Sequence, residues 1–581
     1  MVGEGGIALS TSGHETRPRA GAPEIPTTQL PTGAPPGTDL AFARKASGLV
    51  RGLSMTDAFG VGFMNQGLTP SIWVTITLGL GVFFGGNLII AVLLSVLLAG
   101  IGFPIVWGVL GGSMPRSGGE YIYNSRILHP IIGIAESFGN AFVWLMWIYV
   151  LAPWLADPGV VMLANFTGWT WLYDSATSEF FGGLSYAWGT FVIATLANIA
   201  GLLFVVFGVK IMARAQKVVM LVGIGGAVAI CVVLLSFTKQ DFISSWNSLA
   251  AQYGSLDYGG FLVAAQESAG ETFPTTWNWF DTLGVMVAAS WLFAYSYCIT
   301  YIAGEVKRPD KTIMFANLFA ILVPAVFMLV TAIGLYRLMD FQFLTATAYV
   351  DNNGPAADLI AGYSMPWEPN FVGLAAVLVP TNTWLLAFMA ISFLAFDLWW
   401  VALSYMAFPR IIFAWGMDRM GPKWFTDVNP RWASPVKNYL LCFVIAEALI
   451  AMYVFWTDNP MQGLTITGME ITSVFGVTAI AAAVFPFSKK VRGIWDSSPY
   501  RNWKLLGVPV VTLGGIVNLI YLSILFAFFI IMPDMRDFTV SSLIFYFCVW
   551  GLGIAWYFAW RRRSKSVGID VSMTYGELPP E

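Results

Sequence analysis

Long apolar runs follow one another along this chain with few interruptions. After about 47 polar residues they recur as far as residue 563. The pattern predicts twelve helices, at about 54–76, 83–112, 130–162, 186–208, 213–236, 282–303, 311–337, 382–413, 436–456, 463–487, 506–532 and 540–562. A helix needs roughly 20 predominantly apolar residues to cross a bilayer, and each run supplies that length. The third is longer than one crossing requires, so it is expected to tilt or protrude. Residues 1–47 have low hydrophobicity, repeated Pro and no periodicity, the pattern of a disordered tail. Segments 237–281 and 338–381 are acidic and aromatic. They are too short for a catalytic domain and are expected to carry short helices at the mouth of a cavity.

Composition supports lipid as the solvent. The 581 residues are 57% hydrophobic and 11% charged, with a mean hydropathy of +0.69. A soluble globular chain carries about 25% charged residues, so this one could not cover a water-exposed surface. The 25 Trp suit interfacial belts. A net charge of -3 offers no global field for nucleic acid. The four Cys form no Cys-x-x-Cys pair, and His14 and His129 are the only histidines. That composition suggests neither a disulfide framework nor a zinc site. The first 45 residues lack a signal-peptide pattern.

Basic residues test the topology. With twelve spans and a cytoplasmic N-terminus, Lys239, Arg337 and Arg536 fall outside and the other 27 of the 30 fall inside. That asymmetry is the positive-inside rule, and one misplaced span would scramble it. A multi-pass protein of the cell membrane with both termini cytoplasmic is therefore expected.

The first span contains Gly60-Val61-Gly62-Phe63-Met64-Asn65-Gln66-Gly67-Leu68-Thr69-Pro70. Three Gly, two amides and a Pro are poor helix material. Unwound backbone is tolerated in lipid only where it is buried in protein or lines a cavity, and an interrupted helix exposes amides at one half-helix end and carbonyls at the other. Small residues also serve close helix packing, and this segment alone is compatible with both. The sixth span carries Ser290-Trp291-Leu292-Phe293-Ala294-Tyr295-Ser296-Tyr297-Cys298 with no Gly or Pro. Composition predicts a continuous aromatic helix there. A Tyr hydroxyl at membrane depth must find a partner or face water.

Four further segments carry a family resemblance. They are Ala303-Gly304-Glu305-Val306-Lys307-Arg308-Pro309; Met114-Pro115-Arg116-Ser117-Gly118-Gly119-Glu120-Tyr121; Arg410 with Phe413-Ala414, Asp418 and Pro422, followed by Ser434-Pro435; and Gly208-Val209-Lys210. Their order over roughly residues 50–490 resembles the amino acid–polyamine–organocation (APC) permease superfamily. The resemblance implies an all-α membrane protein with a five-plus-five inverted-repeat (LeuT-like) fold. Its repeats would be 48–236 and 282–487, around an extracellular loop at 237–281. Two extra helices would lie within 488–563, before a cytoplasmic tail at 564–581. It implies alternating access around a midplane site, with the substrate carboxylate on Met64, Asn65, Gln66 and Gly67. The ammonium group would meet Trp291, Phe293, Ala294 and Tyr295. Tyr295 and Tyr297 stand where the family has Gly and Glu, and Asn65 and Gln66 alter its first-helix pattern, which reshapes the pocket. Gly223 falls where some members carry a proton-switching Lys.

Ionisable residues inside spans cost at least roughly 2.5–3.5 kcal/mol and mark functional positions. Asp397 is one, with Ser392 nearby in sequence; it suits a coupling Na+ or H+, and equally a structural hydrogen bond between helices. Glu447 reads as peripheral or interfacial. Asp57, three residues after Ser54, reads as a helix cap. Glu305 and Lys307 read as a gate pair or a solvated helix end, and Trp291 as a lid over substrate or as packing. The expected function is a secondary transporter (permease) for an amino acid or related small amine, without cofactor or covalent chemistry. The alternatives are a polyamine, organocation or organic-acid exchanger, and a non-transporting sensor of the same fold.

Overall fold

The computed structural model describes Leu49 and residues 51–456, 461–531 and 540–579. The predicted disordered tail at 1–47 lies outside the described residues. Eleven helical stretches among those residues are long and apolar enough to cross a membrane. The first predicted span is not among them because it is two shorter helices, α1 (Met55–Met64) and α2 (Leu68–Val82). It completes the twelve.

The next elements are α3 (Leu88–Ser113), the short α4 (Glu120–Ile127) and α5 (Pro130–Trp154). The long third run continues from α5 through a widened turn, Leu155–Val160, into α6 (Val161–Thr167). Three two-residue strands between residues 173 and 185 form a small antiparallel sheet that the apolar pattern did not predict. Helices α7 (Tyr186–Val206) and α8 (Val209–Ser236) follow. The two acidic, aromatic segments carry short helices, as predicted: α9 (Lys239–Tyr253) and α10 (Tyr258–Ala269), then α13 (Phe341–Asn353), α14 (Ala356–Leu359) and α15 (Phe371–Ala376). Between them lie α11 (Trp279–Phe293) and α12 (Pro309–Leu338). The remainder is α16 (Thr383–Met417), α17 (Val436–Trp456), α18 (Met461–Val484), α19 (Arg492–Ser497), α20 (Val510–Ile531), α21 (Val540–Ser566) and α22 (Val571–Thr574).

Local chemistry fixes several helix starts. Ser54 and Asp57 form a reciprocal capping box on α1, as predicted for Asp57. Asn87, Asn278 and Asn382 cap α3, α11 and α16. Helix α16 is buried throughout from Trp399 onward and packs on α5, α7 and α8. Helix α11 packs on α2 and α3, and α12 on α3. The interrupted pairs α1–α2 and α11 therefore sit inside a jacket of continuous helices.

Candidate substrate site at two helix breaks

The first break is encoded locally. Gly67 adopts φ +54, in the left-handed region, and a Cβ there would lie 2.2 Å from the Trp400 ring. Only glycine fits both the turn and the neighbour. Pro70 is the third residue of α2, where the missing N–H has no intrahelical acceptor in any case. Ser71 Oγ donates to the Gln66 carbonyl at 2.5 Å and satisfies one group that the break frees.

The second break corrects the composition-based expectation of a continuous sixth helix. Helix α11 ends at Phe293, and a tighter 3-10 turn resumes over Ser296–Tyr301. No Gly or Pro causes this. The backbone of Tyr295 instead takes partners from the first break. Asn65 Nδ2 donates to the Tyr295 carbonyl at 2.9 Å, and the Tyr295 amide donates to Gln66 Oε1 at 3.2 Å. Two side-chain amides thus tie the breaks together. Gly62 lets the chains approach, since a Cβ there would lie 2.8 Å from the Ser296 carbonyl.

Aromatic rings wall the junction. Trp147 on α5 meets Trp291 at 4.7 Å, Tyr295 at 5.1 Å and Trp400 at 5.6 Å between centroids. Trp154 stacks on Trp291, and Trp73 meets Trp154 edge-on while its indole donates to Asp351 at 2.7 Å. Asp351 lies outside the spans, and burial pushes its carboxyl up to about 6 against the Thr77 and Trp73 donors. Around the junction several polar atoms are buried without a hydrogen-bond partner among the described residues. They are Asn65 Oδ1, Gln66 Nε2, Ser296 Oγ and the Trp147 and Trp400 indole nitrogens; both Asp397 oxygens, three residues before Trp400 on α16, are also unpartnered. Buried polar groups are usually satisfied; such a concentration marks a place built for a polar visitor. The first-turn amides of α2 and last-turn carbonyls of α11 add donors and acceptors of opposite partial charge.

The structure brings Asn65, Gln66, Gly67, Trp291 and Tyr295 to one junction, with Met64, Phe293 and Ala294 buried at the adjoining helix ends. It takes Tyr297 elsewhere, against Trp107 at 5.3 Å and Phe475 at 4.6 Å. Ser392 and Asp397 do not form one site. Five residues place them about 140° apart around α16. Ser392 donates to the Gly223 carbonyl at 2.6 Å and lies 3.3 Å from Thr69 Oγ1, whereas Asp397 has no hydrogen-bond partner among the described residues. Trp147 and Trp400 were not singled out from the sequence, because 25 tryptophans hide any one of them.

One end of the bundle is closed. Arg126 on α4 holds Asp418 through both oxygens, at 2.6 and 2.8 Å. Arg410 holds Glu305 at 2.8 and 3.1 Å and reaches Tyr439. All four charged side chains are buried. Glu305 is therefore not a solvated helix end, and its charge partner is Arg410, while Lys307 is exposed. The amides of Gly52 and Leu53 donate to the Glu305 carbonyl, and that of Lys307 to Leu53, sealing α1 to the segment after α11. Glu120, on α4 outside the spans, accepts from the Trp107 indole and from Asn140. Burial pushes its carboxyl up to about 7 despite those donors. Glu447 lies between α7 and α17, half-buried, and accepts from Thr195 and Asn198.

A family model described as amino acid permease matches residues 58–555. One curated relative, "Cationic amino acid transporter 4, vacuolar" from Arabidopsis thaliana, is 23% identical over 253 residues. The alignment covers 43% of this chain and 37% of that protein, so the chain spans well under half of that relative's length.

Proposed function

The chain belongs to the amino acid permease family, and from that premise we propose that it is a secondary active transporter moving an amino acid by alternating access. The observation that carries this reading is the junction of the two breaks through Asn65, Gln66 and the Tyr295 backbone. A zwitterion matches it. The substrate carboxylate takes the free amides at the start of α2, and its ammonium group the carbonyls at the end of α11. Gly67 keeps the approach open, and Trp291 closes over the substrate. The inverted repeats 48–236 and 282–487 rock about this point. Asp397 takes the coupling proton or Na+. The closed end faces the cytoplasm of a cell membrane, since its Arg126 and Arg410 are among the 27 of 30 basic residues that the twelve-span topology assigns to the inside.

A second reading narrows the substrate to an amino acid with a cationic side chain. Asp397 is buried with no hydrogen-bond partner among the described residues, and Trp147, Trp291 and Trp400 cluster at the junction, the residue type that attracts cations most strongly. The relative's name is in keeping with it.

Counterflow tests both. Purified protein is reconstituted into liposomes loaded with an unlabelled amino acid, and uptake of labelled amino acid is followed. The expected result is transient accumulation that saturates, largest with lysine or arginine under the second reading. Thermal stabilisation by an amino acid without counterflow would identify a sensor and contradict transport. Counterflow driven by polyamines or organic acids alone would overturn the amino acid assignment.

A further inference from the structure

The segment after the last span does not leave the bundle. Trp556 on α21 donates to the Met420 carbonyl at 2.8 Å, and Ser564 Oγ donates to the Arg419 carbonyl at 3.1 Å. Both acceptors lie just beyond the end of α16. Residues 571–579 then cross to the other side of the closed end. Val571 and Tyr575 are buried. The Arg126 guanidinium lies 5.1 Å from the Tyr575 ring centroid, and the Tyr575 and Tyr121 hydroxyls are 3.1 Å apart. Arg116 Nε donates to the Pro579 carbonyl at 2.5 Å. Arg116, Tyr121 and Arg126 all belong to α4 and the loop before it. One continuous stretch of chain therefore holds the end of α16 on one side and α4 on the other. These are the two elements joined by the Arg126–Asp418 pair.

We propose that residues 571–579 are a strap that holds this end of the transporter shut and must lift from α4 before the end can open. The contacts are of releasable size. Tyr575 adds a cation–π contact and one hydrogen bond to a pair that is already closed, so the strap biases an equilibrium and does not create the gate. Its release leaves Arg126 and Asp418 paired but without the tie from α21.

The proposal takes from the transporter reading only that this end opens, and its test needs no substrate. Ser117 is the neighbour of Arg116, which holds Pro579, and it is bridged to Ile302 and 3% exposed. Ser117→Cys is introduced into the full chain with the exposed Cys548 replaced by Ser. The rate at which a water-soluble maleimide alkylates it is compared in the Tyr575→Ala, Tyr575→Phe and Arg116→Gln backgrounds. Tyr575→Ala is expected to speed alkylation roughly five- to tenfold, the size of one cation–π contact plus one hydrogen bond. Tyr575→Phe, which keeps the ring over Arg126, and Arg116→Gln are expected to give smaller increases. Rates within twofold of the parent in both Tyr575→Ala and Arg116→Gln would overturn the strap; should Tyr575→Ala not fold, Arg116→Gln alone decides. Faster alkylation in a protein that shows no counterflow would sustain the strap and remove the transporter reading. Counterflow with unchanged alkylation would do the reverse.

Discussion

The centre of the bundle and its closed end treat buried polar groups in opposite ways. At the end, Arg126 and Arg410 lie against Asp418 and Glu305 at 2.6–3.1 Å, with Tyr121 and Tyr439 adding further hydrogen bonds. At the centre, two helices stop, and amide, indole and hydroxyl atoms have no hydrogen-bond partner among the described residues. Both regions exclude solvent, so both bear the desolvation cost of their polar groups. The end recovers the cost of its four charges within the chain, with Arg126 Nε and Asn124 Oδ1 left over among the described residues. The centre does not, which is the arrangement expected of a place whose partner arrives from outside. The first region is built to close and the second to bind.

Four substitutions break or sharpen this contrast. The largest effect is expected at the end. Arg126→Ala strands a buried Asp418 and should lower stability by about 3–5 kcal/mol, read as a fall in the denaturation midpoint of the purified protein. Glu120 comes next. Its folded carboxyl titrates near 7 against an ordinary 4.5, because burial disfavours the ionised form. The folded chain thus holds a proton that the unfolded chain releases. Glu120 is at its most favourable below about pH 4.5, and that contribution is lost as pH rises through about 7, by up to about 3 kcal/mol. Glu120→Gln should flatten the thermal stability profile between those values. At the centre, Gly67→Ala drives a Cβ into Trp400 at a positive φ. It should cost about 1–3 kcal/mol and abolish counterflow together. Asp397→Asn is expected to be the mildest for stability, with an unchanged or higher midpoint, because no hydrogen-bond partner among the described residues is lost. Its effect should be on coupling, seen as uptake that no longer responds to pH or Na+. A clear loss of stability in Asp397→Asn would show a structural Asp and move it from the second region to the first.

The same contrast explains what was legible in the sequence. The twelve spans and the first break were, because each depends on residues adjacent in the chain: long apolar runs, then Asn65, Gly67 and Pro70 within six positions. The break after Phe293 was not legible from composition. Its cause is the pair of amides on Asn65 and Gln66, some 230 residues earlier, and no local pattern at Tyr295 records them. Family resemblance marked both segments as binding positions, but it took the two amides as bulk that reshapes a pocket rather than as the tie between the halves. The closed end was half legible. Arg410, Asp418 and Glu305 stood out as motif residues, yet their pairings cross from one helix to another and cannot be read along one strand of sequence. Ser392 and Asp397 were grouped because they are five apart; helical geometry turns them to different neighbours.

The most direct measurement is a density map of the purified protein with a saturating amino acid that supports counterflow. The account predicts the solute between the start of α2 and the end of α11. Its carboxylate should lie within hydrogen-bonding distance of the amides after Gly67, and its ammonium group near the carbonyls around Phe293. Density for the amino acid elsewhere, or α1–α2 and α11 running through as continuous helices, would contradict it.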